Sequence, residues 1–262
     1  MKWFKKKKRA LPEDTTCRNC STQTVGQYCH ECGQDVHAGV GQSTLKLIGQ
    51  ALESVFALDG KTPRTLAFLM IRPGFLSEEY RMGKVNRYVH PVKLFWMSSL
   101  IFFALFISQI NFENGQIQIT GVDIDSSMFV NYFAKFAPYV TFLLIPIFAL
   151  LLALFFWRRK YYYMYHMIFT LHFHTFLWIF LSLLLIVEMV IHGLTYPTWL
   201  KTLLFFTPGV YLTMALRRYY RTKSWWKAVW KAILISLLYF FLILLVTGFI
   251  IYLVAKIFFP EQ

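Results

Sequence analysis

Charged side chains are absent from four long stretches of this 262-residue chain, at 94–112, 136–157, 161–187 and 232–255. Charged residues make up 15% of the chain, against about 25% in ordinary soluble domains. A helix that crosses the hydrocarbon core of a bilayer needs roughly 20 apolar residues, and these stretches approach or exceed that length. The scarcity of charge therefore excludes an ordinary soluble globular protein and predicts membrane-spanning helices.

A fifth stretch, at 199–216, is apolar except for Lys201 and contains Pro208 and Gly209. Such helix breakers are tolerated in membranes, where neighbouring helices satisfy the freed backbone groups. We therefore expect an all-α integral membrane protein with about five transmembrane helices, in a membrane domain at 93–259. The predicted spans are 93–112, 136–157, 164–191, 199–216 and 228–257.

Acidic residues are also few, since the chain has 13 Asp and Glu against 27 Lys and Arg. Most basic residues lie in three blocks, at 1–93, 158–160 and 217–231. With five spans this placement follows the positive-inside rule, so we expect a cytoplasmic N-terminus and an outward C-terminus. No apolar region follows the basic start MKWFKKKKRA, so no cleavable signal peptide is expected. The basic blocks indicate anionic lipid head groups as partners, and no nucleic acid.

Only four cysteines occur, and they lie close together as Cys17, Cys20, Cys29 and Cys32. Two C-x-x-C turns can direct four thiolates at one point. The four sulfurs then form the tetrahedral shell that suits zinc. A redox dithiol and an iron–sulfur centre are the alternatives, and His30 or His37 could replace a cysteine as ligand. We expect a structural Zn²⁺ in a cytoplasmic zinc-ribbon-like module at 17–37, behind a basic tail at 1–16.

Sequence motifs for catalysis are missing. A shell closed by four sulfurs leaves no position for a substrate water, and the chain has no G-x-S-x-G, H-E-x-x-H, Walker or Rossmann motif. Adjacent residues diverge on a helix, so Glu78 and Glu79 make a poor acid–base pair. We therefore expect a non-enzymatic scaffold or regulatory subunit with a protein partner on the cytoplasmic side. The alternatives are a component of a small-solute or ion transporter, and a membrane enzyme that acts on lipid or envelope precursors.

Short amphipathic helices are predicted between the cysteine module and the first span, at 43–92. Pro63 at a first helical position starts one of them, and Pro73 with Gly74 separates it from the next. Helices of this kind lie flat in the membrane interface or pack on the inner ends of the spans. Their basic side chains predict a lipid or partner surface of Arg72, Arg81, Lys84, Arg87 and Lys93.

The order of residues in this region is similar to that of a known family. The residues concerned are the four cysteines and Asp59, Gly60, Arg72, Pro73, Gly74, Glu79, Tyr80, Gly83, Lys84, Arg87, Tyr88 and Pro91. The chain resembles domain-of-unknown-function family 3667, integral membrane proteins of Bacteroidetes-type bacteria with an N-terminal four-cysteine motif. The resemblance covers roughly residues 17–95 and implies a multi-pass protein of the bacterial inner membrane, without implying an activity. Val85 and Asn86 depart from the basic residues that the resemblance implies there.

The predicted third span contains ionisable side chains, which are functional candidates when they lie inside a membrane. His172 and His174 stand about 200° apart around a helix, so they do not share a metal from one face. One interpretation is neutral histidines that are hydrogen-bonded between helices, and the other is a proton relay or a haem ligand. The candidates are His166, His172, His174 and Glu188, and His192 shares a helix face with Glu188.

Prolines and aromatic residues of the spans give two more expectations. Pro138, Pro146 and Pro208 are typical either of discontinuous transporter helices or of ordinary membrane helices. Aromatic pairs at span ends, such as Tyr219 and Tyr220, are expected to anchor the helices at the membrane interface.

Overall fold

A computed structural model of the chain describes residues 16–35, 60–113, 116–119, 128–190 and 197–258. The helices of these ranges are, in chain order, α1 (Thr62–Ile71), α2 (Phe75–Arg81), α3 (Pro91–Ser108), α4 (Met128–Phe155), α5 (Tyr163–Val190), α6 (Thr198–Tyr219) and α7 (Trp225–Phe258). His37, His192 and the beginning of the predicted helical segment at 43–92 lie outside the described residues.

Proline and glycine set the bounds of α1 and α2. Pro63 lies in the first turn of α1, where its missing N–H removes no helical hydrogen bond. Arg72 leaves the helix before Pro73, with ψ at 78°, because a residue that precedes proline is disfavoured in the α conformation. Gly74 takes φ 76° before α2 and Gly83 takes φ 91° after it. These left-handed conformations favour glycine, so the sequence itself delimits this pair of short helices.

A short antiparallel hairpin follows α3, with β1 at Ile110–Glu113 and β2 at Gln116–Ile119. Ile110 stands opposite Ile119 in the hairpin, and Glu113 stands opposite Gln116. The sequence predicts helices alone, so the hairpin is a difference from that prediction. Its signal is the alternation of glutamine and isoleucine in β2, which has the period of a strand.

Three of the long helices are apolar and long enough to cross a membrane, namely α3, α5 and the Trp225–Ile250 part of α7. A shorter apolar segment, Thr141–Phe155, forms the second half of α4. Because about 20 apolar residues suffice to cross the hydrocarbon core, these helices indicate a membrane protein. α6 is 22 residues long but is not among these candidate spans over the described residues, so the count of five spans stays a prediction.

The helices α4 and α6 continue through their prolines. Pro138 and Pro146 lie within α4, and Pro208 lies within α6. The hypothesis that these prolines mark discontinuous helices is therefore wrong, and the second interpretation, an ordinary membrane helix with an internal proline, agrees with the structure.

The helix α5 lies at the centre of the bundle. Both α3 and α4 pack along α5, the short α2 contacts α5 and α6, and α7 packs on α4 and α6. Aromatic rings join the helices, with Phe156 stacked on Tyr220 at a centroid distance of 3.7 Å and Phe176 stacked on Tyr211 at 3.5 Å. Tyr219 and Tyr220 are both 0% exposed. The expectation that this pair anchors α6 at the membrane interface is wrong, because the rings pack in the core.

Candidate metal centre and its contacts with the helices

Two turns with the same hydrogen bonds hold the four cysteines. In the first turn, the Ser21 N–H donates to the carbonyl oxygen of Cys17, and the Cys17 N–H donates to that of Thr22, both at 2.8 Å. In the second turn, at 29–34, the Gly33 N–H donates to the carbonyl oxygen of Cys29 at 2.8 Å, and the Cys29 N–H donates to that of Gln34 at 2.9 Å. Ser21 and Gly33 occupy the equivalent position in each turn and take φ 65° and 68°. The positive φ explains the glycine in the second turn.

The four sulfur atoms converge on one point and lie within 4.8 Å of one another. Cys17 Sγ lies 3.6 Å from Cys32 Sγ, and Cys20 Sγ lies 3.5 Å from Cys29 Sγ. Tetrahedral zinc with Zn–S bonds of about 2.3 Å places its sulfurs roughly 3.8 Å apart. All four cysteines are free thiols, and His30 is exposed. The group can therefore hold a metal ion, and its donor set fits zinc.

The two cysteines of the first turn differ in proton affinity. Hydrogen bonds with the hydroxyl and backbone of Thr22 lower the pKa of Cys20 to about 6. Burial raises the pKa of Cys17 to about 11. Because the thiolate is the form that binds a metal, a metal that bound at neutral pH would release the proton of Cys17. The affinity for such a metal would therefore fall as the pH falls.

Gln34, the last residue of the second turn, connects the cysteine module to the helices. Its Nε2 donates to the carbonyl oxygen of Gly83 at 2.7 Å, and its Oε1 accepts from the N–H groups of Val85 and Asn86 at 3.1 Å each. The side chain of Asn86 donates in return to the carbonyl oxygen of Cys32 at 3.3 Å. Gln34 is 2% exposed, so this contact is sheltered from water. The loop at 83–86, called the docking loop below, is fixed directly against the module.

The helix α2 is packed into the bundle rather than laid over it. Ser77 Oγ on α2 lies 2.9 Å from His172 Nδ1 on α5. The Tyr211 hydroxyl on α6 donates at 2.8 Å to a carbonyl oxygen near the end of α1. A Cβ added to Gly74 would lie 2.7 Å from the carbonyl oxygen of Ala215, so the backbones of the α1–α2 turn and α6 are nearly in contact. Only glycine allows such an approach.

The basic residues predicted to form a lipid or partner surface have different surroundings. Arg72 and Arg87 are exposed, while Arg81 and Lys84 are half-buried. Lys84 forms a salt bridge of 2.8 Å with Glu79, and Arg81 lies over the ring of Tyr161. The role of these four residues as a lipid or partner surface stays a prediction.

Lys93 does not belong to an exposed surface, because it is 1% exposed. It lies in the first turn of α3 beside Leu94 and Phe95, which are also buried. Including Lys93 in the predicted surface was therefore wrong. Charge alone suggested exposure, whereas the fold buries this position of α3.

The three histidines of α5 are buried, and each is hydrogen-bonded to a residue of another element. His166 Nδ1 lies 2.7 Å from the Tyr220 hydroxyl, and His174 Nε2 lies 2.9 Å from the Tyr239 hydroxyl. His172 meets Ser77 as described above. These bonds join α5 to α2, α7 and the end of α6, as the interhelix interpretation describes. Glu188 is exposed near the opposite end of α5, apart from the histidines, and a functional role of these four residues stays a prediction.

Residues 59–103 of the chain match the family described as protein of unknown function (DUF3667). The family resemblance is confirmed over these residues. The DUF3667 region contains α1, α2, the docking loop and the first two-thirds of α3, whereas the four cysteines lie outside it. No curated protein and no solved structure matches the chain.

Several residues of these contacts were not foreseen from the sequence. Gln34, Ser77 and Tyr211 are ordinary polar or aromatic residues with no motif around them. The only local signal for Gln34 is its place directly after Gly33 in the second turn. Because its partners in the DUF3667 region lie about 50 residues further along the chain, no local pattern could pair them.

Proposed function

We propose that the chain is a non-enzymatic scaffold or regulatory subunit of the bacterial inner membrane, with a structural Zn²⁺ in its cysteine module. The N-terminus is cytoplasmic and the C-terminus faces outward, in a bilayer with anionic head groups. The observation that supports the proposal is the closed set of four sulfurs within 4.8 Å, connected through Gln34 to the docking loop. A metal in this shell would fold the module and hold it against the helices.

The surroundings of the carboxylates support a role without catalysis. Glu78 accepts from Arg218 at 3.3 Å and from Arg221 at 3.5 Å, while Glu79 is paired with Lys84 at 2.8 Å. Each carboxylate is held by cations on a different side of α2. The two carboxylates have separate cationic partners, and this gives the enzyme alternative less support than the scaffold.

The transporter alternative has less support than the scaffold. It relied on broken spans and on buried histidines. α6 is continuous through Pro208, and His174 is bonded to Tyr239 and to the carbonyl oxygen of Thr170. Phe148 and Phe173 pack around the same imidazole, so aromatic rings occupy the space that a solute path would need there.

The exposed part of the module between the two turns is the partner surface of this proposal. Val25 is 95% exposed and Tyr28 is 61% exposed. Exposed apolar and aromatic side chains on a small rigid support are typical of anchors that enter a pocket on a partner. The partner expected here is a cytoplasmic protein with an apolar pocket.

The proposal is tested by purifying the full-length chain from native membranes, with zinc measured per chain. The double variant Val25→Asp, Tyr28→Asp should keep one zinc and lose a protein that the wild type retains. Glu31→Gln changes an exposed residue of the second turn, outside this surface, and serves as the control. An identical set of bound proteins for wild type and double variant would contradict the partner surface. Retention of one zinc per chain by Cys29→Ser would contradict the assigned ligands.

A further inference from the structure

A cavity of about 320 Å³ lies between α3, α4 and α5, beside the first residues of α3. α3 and α4 both pack on α5, and the cavity fills the space between them. Its walls include Phe95 and Trp96 of α3, Ile145 of α4, and Ile168 and Leu171 of α5. The volume falls at the lower end of the range for small-molecule sites, roughly 300–1,000 Å³.

Two polar side chains reach this apolar cavity, Tyr80 from α2 and His90 from the residue before α3. The two rings meet edge to face with centroids 6.2 Å apart. Tyr80 is 4% exposed. Its hydroxyl and both ring nitrogens of His90 are buried and have no hydrogen-bond partner in the described part of the chain. Buried polar groups are nearly always hydrogen-bonded, so this pair of unpaired groups points to an additional molecule.

Both polar groups are uncharged at neutral pH. Burial lowers the pKa of His90 to about 4 and raises that of Tyr80 well above its usual range. The neutral imidazole offers one donor and one acceptor, and the phenol offers a donor. Among the described residues, those that line the cavity include no Lys, Arg, Asp or Glu. The site is therefore matched to an uncharged head group, since nothing in its wall would neutralise a charge.

The cavity opens at the side of the bundle. Pro146 of α4 is exposed, and Trp96 and Met167 at the rim are half-buried. These residues lie on helices whose outer faces are apolar, with Leu100 and Leu150 exposed to the surroundings of the bundle. In a bilayer such an opening meets lipid chains rather than water.

We propose that this cavity binds the acyl chain of a membrane lipid whose head is a neutral oxygen group, an alcohol or an ester, hydrogen-bonded to Tyr80 and His90. The hydrocarbon of the lipid covers Phe95, Ile168 and Leu171, and its head oxygen meets the phenol and the imidazole. A monoacylglycerol carries both features, a hydroxyl-bearing head with an ester carbonyl and a single chain. The site does not involve the cysteine module, so it stands apart from the proposed scaffold function.

The test uses the full-length chain in phosphatidylcholine vesicles with a monoacylglycerol that carries a photoactivatable diazirine in its acyl chain. Crosslinks should fall on peptides of α3 and α5 that line the cavity, and unlabelled monoolein should compete. Ile168→Trp fills the cavity and should abolish the labelling. Tyr80→Phe removes one hydrogen bond to the head group and should lower the labelling about fivefold.

The variant Tyr80→Phe also shows whether reduced labelling comes from lost binding or from misfolding. The hydroxyl has no partner in the protein, so its removal should leave the melting temperature of the ligand-free chain unchanged or raised. Monoolein should raise the melting temperature of the wild type and raise that of the variant less. Tyr162→Phe, at an exposed tyrosine, is the matched control and should behave as the wild type.

Three results would overturn the proposal. Labelling that monoolein does not compete and that Ile168→Trp does not reduce would mean ordinary contact with bilayer lipids. Stronger competition by oleate than by monoolein would mean that the site prefers a charged head. An absence of crosslinks to the lining peptides would leave water as the occupant that bridges Tyr80 and His90.

Discussion

In the cysteine module, the buried side chains include Cys17, Thr24, Cys29 and Gln34, whereas the helix bundle buries large apolar side chains such as Leu152, Leu216 and Tyr219. The sulfurs and amide of the module supply little hydrophobic burial, and units of this size usually rely on disulfides, a metal or oligomerisation to fold. The bundle has close-packed aromatic and aliphatic side chains, whose burial is the main driving force of folding. One chain therefore combines a small part that buries sulfur and polar groups with a larger part that depends on apolar packing.

The two parts meet at the docking loop, within the DUF3667 region. Its Gly83, Val85 and Asn86 backbone groups bond to Gln34, and α2 on its other side bonds to α5 through Ser77. A change in the fold of the module would therefore reach α5 through few contacts. Changes in the module, in the bundle and in the contact between them can show whether the stabilities of the two parts are coupled.

Removal of the metal should have the largest effect. Structural zinc contributes on the order of 10 kcal/mol to the folding of such small modules, so chelation should unfold residues 16–35. Hydrogen exchange should then show fast exchange at 16–35 and in the docking loop, with protection retained in the middle of α5. Addition of zinc should restore the slow exchange, and a chelator saturated with zinc is the control. Loss of protection throughout α5 would contradict the independence of the bundle.

Substitution of Gly74 should disturb the bundle and leave the module folded. In Gly74→Ala the new Cβ would stand 2.7 Å from the Ala215 carbonyl oxygen, at φ 76°. Left-handed strain and overpacking together should lower the unfolding free energy by about 2–5 kcal/mol. Thermal unfolding in detergent measures the loss, and zinc content should stay at one per chain.

The control for Gly74 is Gly209→Ala on α6, where an added Cβ meets nothing within 4 Å. Alanine is the better residue in a helix, so this control should be neutral or slightly stabilising. Equal melting temperatures for the two variants would contradict the close approach of the α1–α2 turn to α6.

Loss of the Gln34 side chain should affect the connection between the two parts. Gln34→Ala leaves the N–H groups of Val85 and Asn86 without their acceptor, at a cost of about 1–3 kcal/mol for buried groups. Amide exchange at these two positions should accelerate, while the sulfurs keep the metal. Gln27→Ala, at an exposed glutamine of the same module, should change neither. Unchanged protection of the docking loop in Gln34→Ala would break the proposed connection.

The sequence predicted those features that depend on local chemistry. The four cysteines, the breaks at Pro73 and Gly74, and the long apolar helices all follow from composition, spacing or backbone preference. The sequence could not predict contacts between distant residues, such as Gln34 with the docking loop or Ser77 with His172, because neither partner carries a local pattern. It also misplaced Lys93 and Tyr219, because their burial depends on which face of a helix its neighbours cover.

The smallest effect is expected at the ion pair between α2 and the end of α6. Glu78→Gln removes the carboxylate that Arg218 and Arg221 approach at 3.3 and 3.5 Å. Both arginines are at least 39% exposed, and pairs of this kind contribute about 0–1 kcal/mol. Thermal unfolding should therefore show a small loss of stability at low salt. This loss should disappear at high salt, because ions screen exposed charges. Glu31→Gln, an exposed acid of the module, should show no loss at either salt concentration. A large, salt-independent loss of stability for Glu78→Gln would mean that the bundle, like the module, depends on polar contacts. The bundle would then not be stabilised mainly by apolar packing, and the contrast between the two parts would be wrong.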